Sequence, residues 1–270
     1  MARLFRCQQQ SDLWNAARRG RITGSGVMDM IAPPISRASS RGPKGTEAAA
    51  KEKYRNQLVV ERIYKRITDN FVSRAMMDGV EREPFAKMLY EAKILGEPAE
   101  SVGFALHPEW DFFGCSPDSV SWEQKGGQEY KCPTETTHDG YAQNIMNLVD
   151  DYKGQALCGL ICFPEFDWWD LYSFSPYAPD EIKLVGYRFL RSEWQPMIDE
   201  IERVALEFNQ EIEDRIAERG FAPTVFDILP GSEAAKMLDD GRAPEQINDY
   251  DPSKSFSDQD WSFLGDEVPM

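Results

Sequence analysis

The sequence predicts an α/β fold in which a central mixed β-sheet is flanked by α-helices, and three observations carry that prediction. Strand-patterned stretches at 101–107, 114–133, 168–174 and 182–190 share the chain with helical stretches at 46–69, 150–162 and 192–219. At 270 residues and 41% hydrophobic content the chain can bury a proper core, although it is long for one domain and short for two. After Pro223 the composition turns acidic and rich in turn formers, which divides the chain into a body of residues 1–222 and a C-terminal appendage of residues 223–270.

Taken in order, Ser11-Asp12 is positioned to cap a short helix through Leu13, Trp14, Ala16 and Ala17 that ends near Gly20. A second helix carries Val27, Met28 and Ile31 and stops before Pro33-Pro34. Arg18 at the end of the first helix and Ser25 at the start of the second suit an anion in principle. A basic helix end that complements its own dipole explains Arg18 equally well. Residues 33–45 read as a basic loop, either a contact to a nucleic-acid backbone or a plain linker. Residues 46–69 form a helix with Leu58, Val59, Ile63 and Ile67 as its apolar stripe. Glu83 is expected near the start of the next helix, which continues through Met88, Leu89 and Tyr90. It is placed either to support a metal or merely to stabilise its own helix.

A strand at 101–107 leads through Phe112 and Phe113 into residues 114–133, which read as a β-hairpin whose turn is Gly126-Gly127. Side chains two apart on a strand share a face, so Glu129 and Lys131 project together while Tyr130 points the other way. Asp118, just before the bend, brings a second carboxylate to the same side. Two convergent carboxylates suit a hard cation such as Mg²⁺, and a neighbouring lysine can hold an attacking water. Pro117-Asp118 followed by Glu129-Tyr130-Lys131 resembles the PD-(D/E)xK nuclease core, the restriction-endonuclease-like fold. A solvated hairpin with alternating charges is the plain alternative.

Beyond the hairpin, 134–147 reads as a helix or broken helix, and 150–162 as a helix with Gln155 on a face of its own. The aromatic run from Trp168 to Phe174 reads as sheet core, because no basic residue interleaves it. Ser192 is expected to cap a long amphipathic helix with Trp194, Ile198, Ile201 and Phe208 inward, closed by Gly220. The acidic appendage, with Trp261 and Phe263, either docks a partner or packs on itself.

The net charge of −16 is unevenly spread. Residues 1–95 hold 18 Lys+Arg against 10 Asp+Glu, whereas residues 196–270 hold 6 against 19. That asymmetry suits a protein that admits nucleic acid along one lined path and repels it elsewhere. Five cysteines without a Cys-x-x-Cys pair, and two histidines, argue against structural zinc. Cys158 and Cys162, one helical turn apart, read as small buried residues. No apolar run approaches the roughly 20 residues of a membrane span, and the N-terminus lacks signal-peptide patterning, so a soluble cytoplasmic protein is expected.

One ordered set of segments resembles the phage lambda exonuclease family, the YqaJ-type viral recombinase nucleases. It comprises Trp14 to Ala32, Gly79 to Glu91, Cys115 to Val120, Glu129 to Pro133 and Gln155, within roughly residues 11–215. The resemblance implies a Mg²⁺-dependent exonuclease, with two ions per site and Mn²⁺ as a substitute. Such an enzyme degrades one strand of linear duplex DNA processively from the 5′ end, leaving a 3′ overhang for an annealing protein. It further implies that Asp118, Glu129 and the Tyr130 carbonyl ligate metal. Lys131 would activate or orient water, and Glu83 would be a further acid. Gln155 would touch the water or the substrate backbone, and Arg18, Ser25 and Ser116 would form a pocket for the 5′ phosphate. A homotrimeric ring around DNA ends is likewise implied. A structure-specific endonuclease and a catalytically silent end-binding protein are the alternatives. The basic loop at 33–45 and the acidic tail depart from the family pattern.

Overall fold

A computed structural model of the chain describes residues 1–35, 45, 47–67 and 74–239. Most of the basic loop, and the tail from residue 240 with Trp261 and Phe263, lie outside the described residues.

The order runs β1 (Arg3–Phe5), α1 (Asp12–Arg18), β2 (Ile22–Thr23), α2 (Gly24–Met30), α3 (Ala49–Tyr64), α4 (Arg74–Tyr90), a π-helical turn (Glu91–Leu95) and β3 (Phe104–Leu106). It continues with β4 (Phe113–Cys115), β5 (Ser119–Ser121), β6 (Gly126–Lys131), α5 (Glu135–Gln143), α6 (Ile145–Cys162), β7 (Trp168–Phe174), β8 (Leu184–Leu190), α7 (Arg191–Glu218) and α8 (Glu233–Asp239). The α/β class with mixed sheets flanked by helices is as expected. The strands, however, fall into two four-stranded sheets among the described residues, ordered β1-β3-β4-β2 and β5-β6-β7-β8. Pro117 lies between β4 and β5, where its missing amide suits the break in pairing.

Ser11 caps α1 by accepting the Trp14 amide on its side chain. α3 is shorter than its periodicity suggests, because Lys65 turns left-handed and ends it. Ile67 therefore leaves the apolar stripe for the surface, while Leu58 and Val59 remain core. Arg55 and Arg62 of α3 are buried and pair with Glu211 and Glu213 of α7. Part of the opposed charge of the two chain ends is thus neutralised inside the fold.

The hairpin turn is not Gly126-Gly127. Trp122 to Lys125 make the turn, with Lys125 at φ 54°, and both glycines lie on β6. They are needed there because a Cβ would come within 2.1 Å of the Trp168 ring at Gly126 and 2.3 Å of the Trp169 ring at Gly127. Glu83 is not near a helix start either. It lies inside α4, and Pro84, which reads as a starting proline, is accommodated mid-helix. α5 and α6 are separated at Asn144, whose side chain accepts the Met146 amide. α7 begins at Arg191 with Leu190 at the cap position, so Ser192 sits within the helix and not at its cap.

The aromatic run on β7 is sheet core on both faces. Trp169 and Leu171 join the main core with α6 and α7, and Trp168 and Phe174 join a second cluster under α4 with Ala86, Tyr90 and Tyr130. Cys158 and Cys162 are buried free thiols. The first part of the appendage packs on the body: Ile228 and Ala235 are buried with Leu13, Ala17 and Phe104, and Arg21 donates to the Ile228 carbonyl at 2.8 Å. Among the described residues no helix is long and apolar enough to cross a membrane.

Candidate active site

Antiparallel pairing of β5 with β6, Ser119 opposite Gln128, sets Asp118 beside the middle of β6. There the Asp118 amide donates to the Gln128 carbonyl at 3.1 Å, and Asp118 Oδ2 accepts the Tyr130 amide at 2.6 Å. Two positions along the strand, Lys131 Nζ lies 3.1 Å from Glu129 Oε2. Tyr130 turns to the opposite face, where its ring meets Tyr90 of α4 at 5.6 Å between centroids. The alternation expected of Glu129, Tyr130 and Lys131 is therefore present. From α4, Glu83 comes close enough for its charge to couple to Asp118 and Lys131.

Glu129 is buried, and Asp118, Glu83 and Lys131 are half-buried. Burial, reinforced by Asp118, pushes Glu83 up to about 7. Glu129 rises to about 8, through burial first and then the charges of Asp118 and Glu83, against the opposing pull of Lys131. Burial also raises Asp118. At Lys131 burial works against the charge, but Glu129, Asp118 and Glu83 outweigh it and hold the ammonium above its ordinary value. Three carboxyl groups crowd one ammonium in a partly dehydrated nest, and their raised pKa values mark negative charge that a divalent cation would relieve. Among the described residues no three His, Cys, Asp or Glu side chains form a ready ligand shell. An ion held by one or two carboxylates that keeps its waters, as Mg²⁺ does, needs no such shell.

A second group lies at the adjoining strand ends. β2 runs parallel to β4, Ile22 with Phe113 and Thr23 with Gly114, so Ser25 and Ser116 leave the same end two residues past a paired couple. Ser116 Oγ accepts from Arg18 Nη1 at 2.7 Å and from Trp14 Nε1 at 3.0 Å. The Arg18 guanidinium stacks 4.4 Å from the Trp14 ring centroid, a helical turn earlier on α1. Ser25 is reached through Thr23, whose Oγ1 lies 3.4 Å from Ser25 Oγ. Strand register sets Ser25 at the same end of the sheet as this group, and among the described residues its hydrogen-bond contact is with Thr23. Ser116 and Asp118 are two residues apart, so the two groups share one stretch of chain. Arg18 joins them electrostatically: burial lowers its pKa, and Glu129 is among the groups that support its charge.

Gln155 of α6 packs against the start of α2, where a Cβ on Gly24 would sit 2.9 Å from Gln155 Cα. Tyr152, three residues earlier on the same face, holds its ring 5.4 Å from Lys131 Nζ. Trp14, Tyr152 and Tyr54, whose hydroxyl accepts the Thr23 amide at 3.1 Å, are neighbours of the site that sequence reasoning left without roles. Their helical spacing to Arg18 and Gln155 was the available signal for the first two.

The YqaJ-like viral recombinase domain matches residues 13–161, from α1 to the end of α6, and so takes in every residue of both groups. The chain belongs to the YqaJ-like viral recombinase family. Its fold is that of an alkaline exonuclease (LHK-Exo) from Laribacter hongkongensis, with a TM-score of 0.66 and 28% identity over 78% of this chain and 96% of that one. The same enzyme in complex with dAMP matches with a TM-score of 0.66 and 28% identity, over 77% and 96% of the two chains. A phage-related exonuclease from Haemophilus somnus 129PT shares the fold at 14% identity and a TM-score of 0.55, over 76% and 99%. No curated protein sequence matches. The family match and the shared fold together set the chain beside exonucleases of this fold.

Proposed function

We propose that the chain is a Mg²⁺-dependent exonuclease that degrades one strand of linear double-stranded DNA processively from the 5′ end. It releases 5′-mononucleotides and leaves 3′ single-stranded overhangs for recombination by strand annealing. The observation that supports this most is the joining of two groups through one short stretch. Ser116 belongs to the Arg18 anion group, and two residues later Asp118 belongs to the carboxylate group of Glu83, Glu129 and Lys131.

Arg18 presents a planar, permanently charged donor to a phosphate, stiffened by Trp14 and Ser116, so a terminal phosphate is held by charge-assisted hydrogen bonds. Ser25 adds a hydroxyl at the start of α2. Asp118, Glu129 and the Tyr130 carbonyl are the oxygens proposed to hold Mg²⁺ or Mn²⁺, two ions per site. When bound, those ions supply charge stabilisation to the attacking and leaving oxygens of the scissile phosphate. Lys131, held as an ammonium by its carboxylates, orients the attacking water and takes up the role of base only where cations offset those carboxylates. Glu83 is the further acid beside the ions, its charge coupled to Asp118 and Lys131. Gln155 orients water or the substrate backbone. Fixing the terminal phosphate a set distance from the carboxylates makes each cut one nucleotide long.

The complex of LHK-Exo with dAMP agrees with a deoxynucleoside monophosphate product. Assembly as a homotrimeric ring and hand-over to a single-strand annealing protein belong to the same reading and rest on the family resemblance. Linear and covalently closed circular duplex, incubated with Mg²⁺ and with a chelator, test it. Loss of linear DNA alone, only with Mg²⁺, is expected. Cutting of closed circles would make the chain an endonuclease, and intact linear DNA would make it an end-binding protein.

A further inference from the structure

A row of polar side chains crosses the second sheet beneath α4. Register places Ser119 beside Gln128, Gln128 beside Asp170, and Asp170 beside Arg188, one from each of β5, β6, β7 and β8. Ser119, Gln128 and Asp170 are fully buried. Ser119 Oγ donates to Gln128 Oε1 at 2.7 Å and lies 3.0 Å from the Tyr130 hydroxyl. Asp170 takes Arg188 Nε and Nη2, both at 2.7 Å, and the Tyr90 hydroxyl donates to its Oδ2 at 2.6 Å. Arg188 is itself held over the Trp168 ring at 3.9 Å.

A buried carboxylate with this many partners is a poor source of stability, since apolar residues of like volume serve as well or better. What it does supply is a fixed position for Tyr90. Tyr90 stands seven residues, two helical turns, after Glu83, so the two lie on the same side of α4. α4 needs such an anchor. Pro84, directly after Glu83, withholds one amide from the helical ladder, and a π-helical turn follows Tyr90. Phe85 and Met88 on the outer face are exposed and give α4 no packing there.

We infer that Tyr90, tied to the buried Asp170–Arg188 pair, is a positioning residue for the nuclease site, fixing the helix that carries Glu83 against the strand that carries Glu129 and Lys131. This rests on the proposed metal-dependent reading of those carboxylates. Asp170 and Arg188 touch none of the groups proposed to meet substrate. They act through the Tyr90 hydroxyl, and the Tyr90 ring packs on Tyr130, the residue between Glu129 and Lys131.

Tyr90→Phe removes only the hydroxyl and keeps the ring packing. Tyr172→Phe is the control, since that ring packs on Tyr90 at 5.1 Å in the same cluster. Mg²⁺ binding to the full chain without DNA is measured by titration calorimetry, and kcat and KM for linear duplex are measured at several Mg²⁺ concentrations. Because the Glu83 charge couples to Asp118 beside the proposed ligands, loosening its helix in Tyr90→Phe is expected to weaken Mg²⁺ binding about tenfold. It should lower kcat at limiting Mg²⁺ while leaving KM for DNA unchanged, and Tyr172→Phe should match wild type. Wild-type Mg²⁺ affinity in Tyr90→Phe, or an equal loss in Tyr172→Phe, overturns the positioning role alone. A wild-type chain that binds no Mg²⁺ overturns the metal-site reading and the positioning role with it.

Discussion

Lys131 Nζ stands 3.1 Å from Glu129 Oε2, two residues along the same strand, and this ion pair is the only one that β6 makes among the described residues. The lysine is held charged by the carboxylates it faces, so its removal acts twice. It takes away the group proposed to orient water, and it leaves Glu129 and Asp118 with less compensation for their charge. Lys131→Ala is expected to lower the cleavage rate ~10²–10⁴-fold. Binding of duplex ends, read by fluorescence anisotropy, should stay near wild type. Retained turnover removes Lys131 from the mechanism.

Arg18 and Trp14 converge on Ser116 Oγ. Loss of one charge-assisted hydrogen bond costs about 1.5–3 kcal/mol, so Arg18→Ala should lower the preference for 5′-phosphorylated over 5′-hydroxyl ends by roughly one to two orders of magnitude. Competing degradation of the two ends measures this ratio. A wild-type ratio places the phosphate elsewhere.

The carboxylates also set a pH dependence of stability in the metal-free chain. Glu83 and Glu129 rise from 4.5 to about 7 and about 8, chiefly through burial. The folded chain therefore holds these protons at a pH where the unfolded chain has lost them. Their contribution is fully present below about pH 4.5 and is lost as pH rises through about 7 to 8. In chelator, Tm should fall across that window, Glu83→Gln should flatten the fall, and Mg²⁺ should raise Tm more at pH 8 than at pH 5. A Tm that rises steadily through the window contradicts the assignment.

Gly127→Ala tests the strand assignment of the two glycines. The added methyl would meet the Trp169 ring at 2.3 Å, and overpacking of this kind costs about 1–3 kcal/mol. Chemical denaturation should show that loss. A neutral effect would return Gly127 to a turn.

Much of the strand that carries the candidate site was legible from the sequence. A period of two fixes which of Glu129, Tyr130 and Lys131 share a face, whatever surrounds them. The turn was not legible, because Gly126-Gly127 carries turn chemistry, while the need for two glycines comes from Trp168 and Trp169 on a strand some forty residues away. Glu83 was legible as a candidate but misplaced along its helix, since Pro84 mimics a helix start. Ser192 looked like a cap for the same kind of local reason, but α7 starts one residue earlier. Asp170 and Arg188 had no signal at all. Their meaning depends on strand register and on Tyr90, neither of which a single sequence displays.

The most direct measurement follows linear duplex DNA carrying a label on the 5′ phosphate of one strand, incubated with the chain and Mg²⁺. Early release of the label as a mononucleotide, with the complementary strand left full length, is the predicted result. Release from the 3′ end, or a labelled product longer than one nucleotide, would contradict the account.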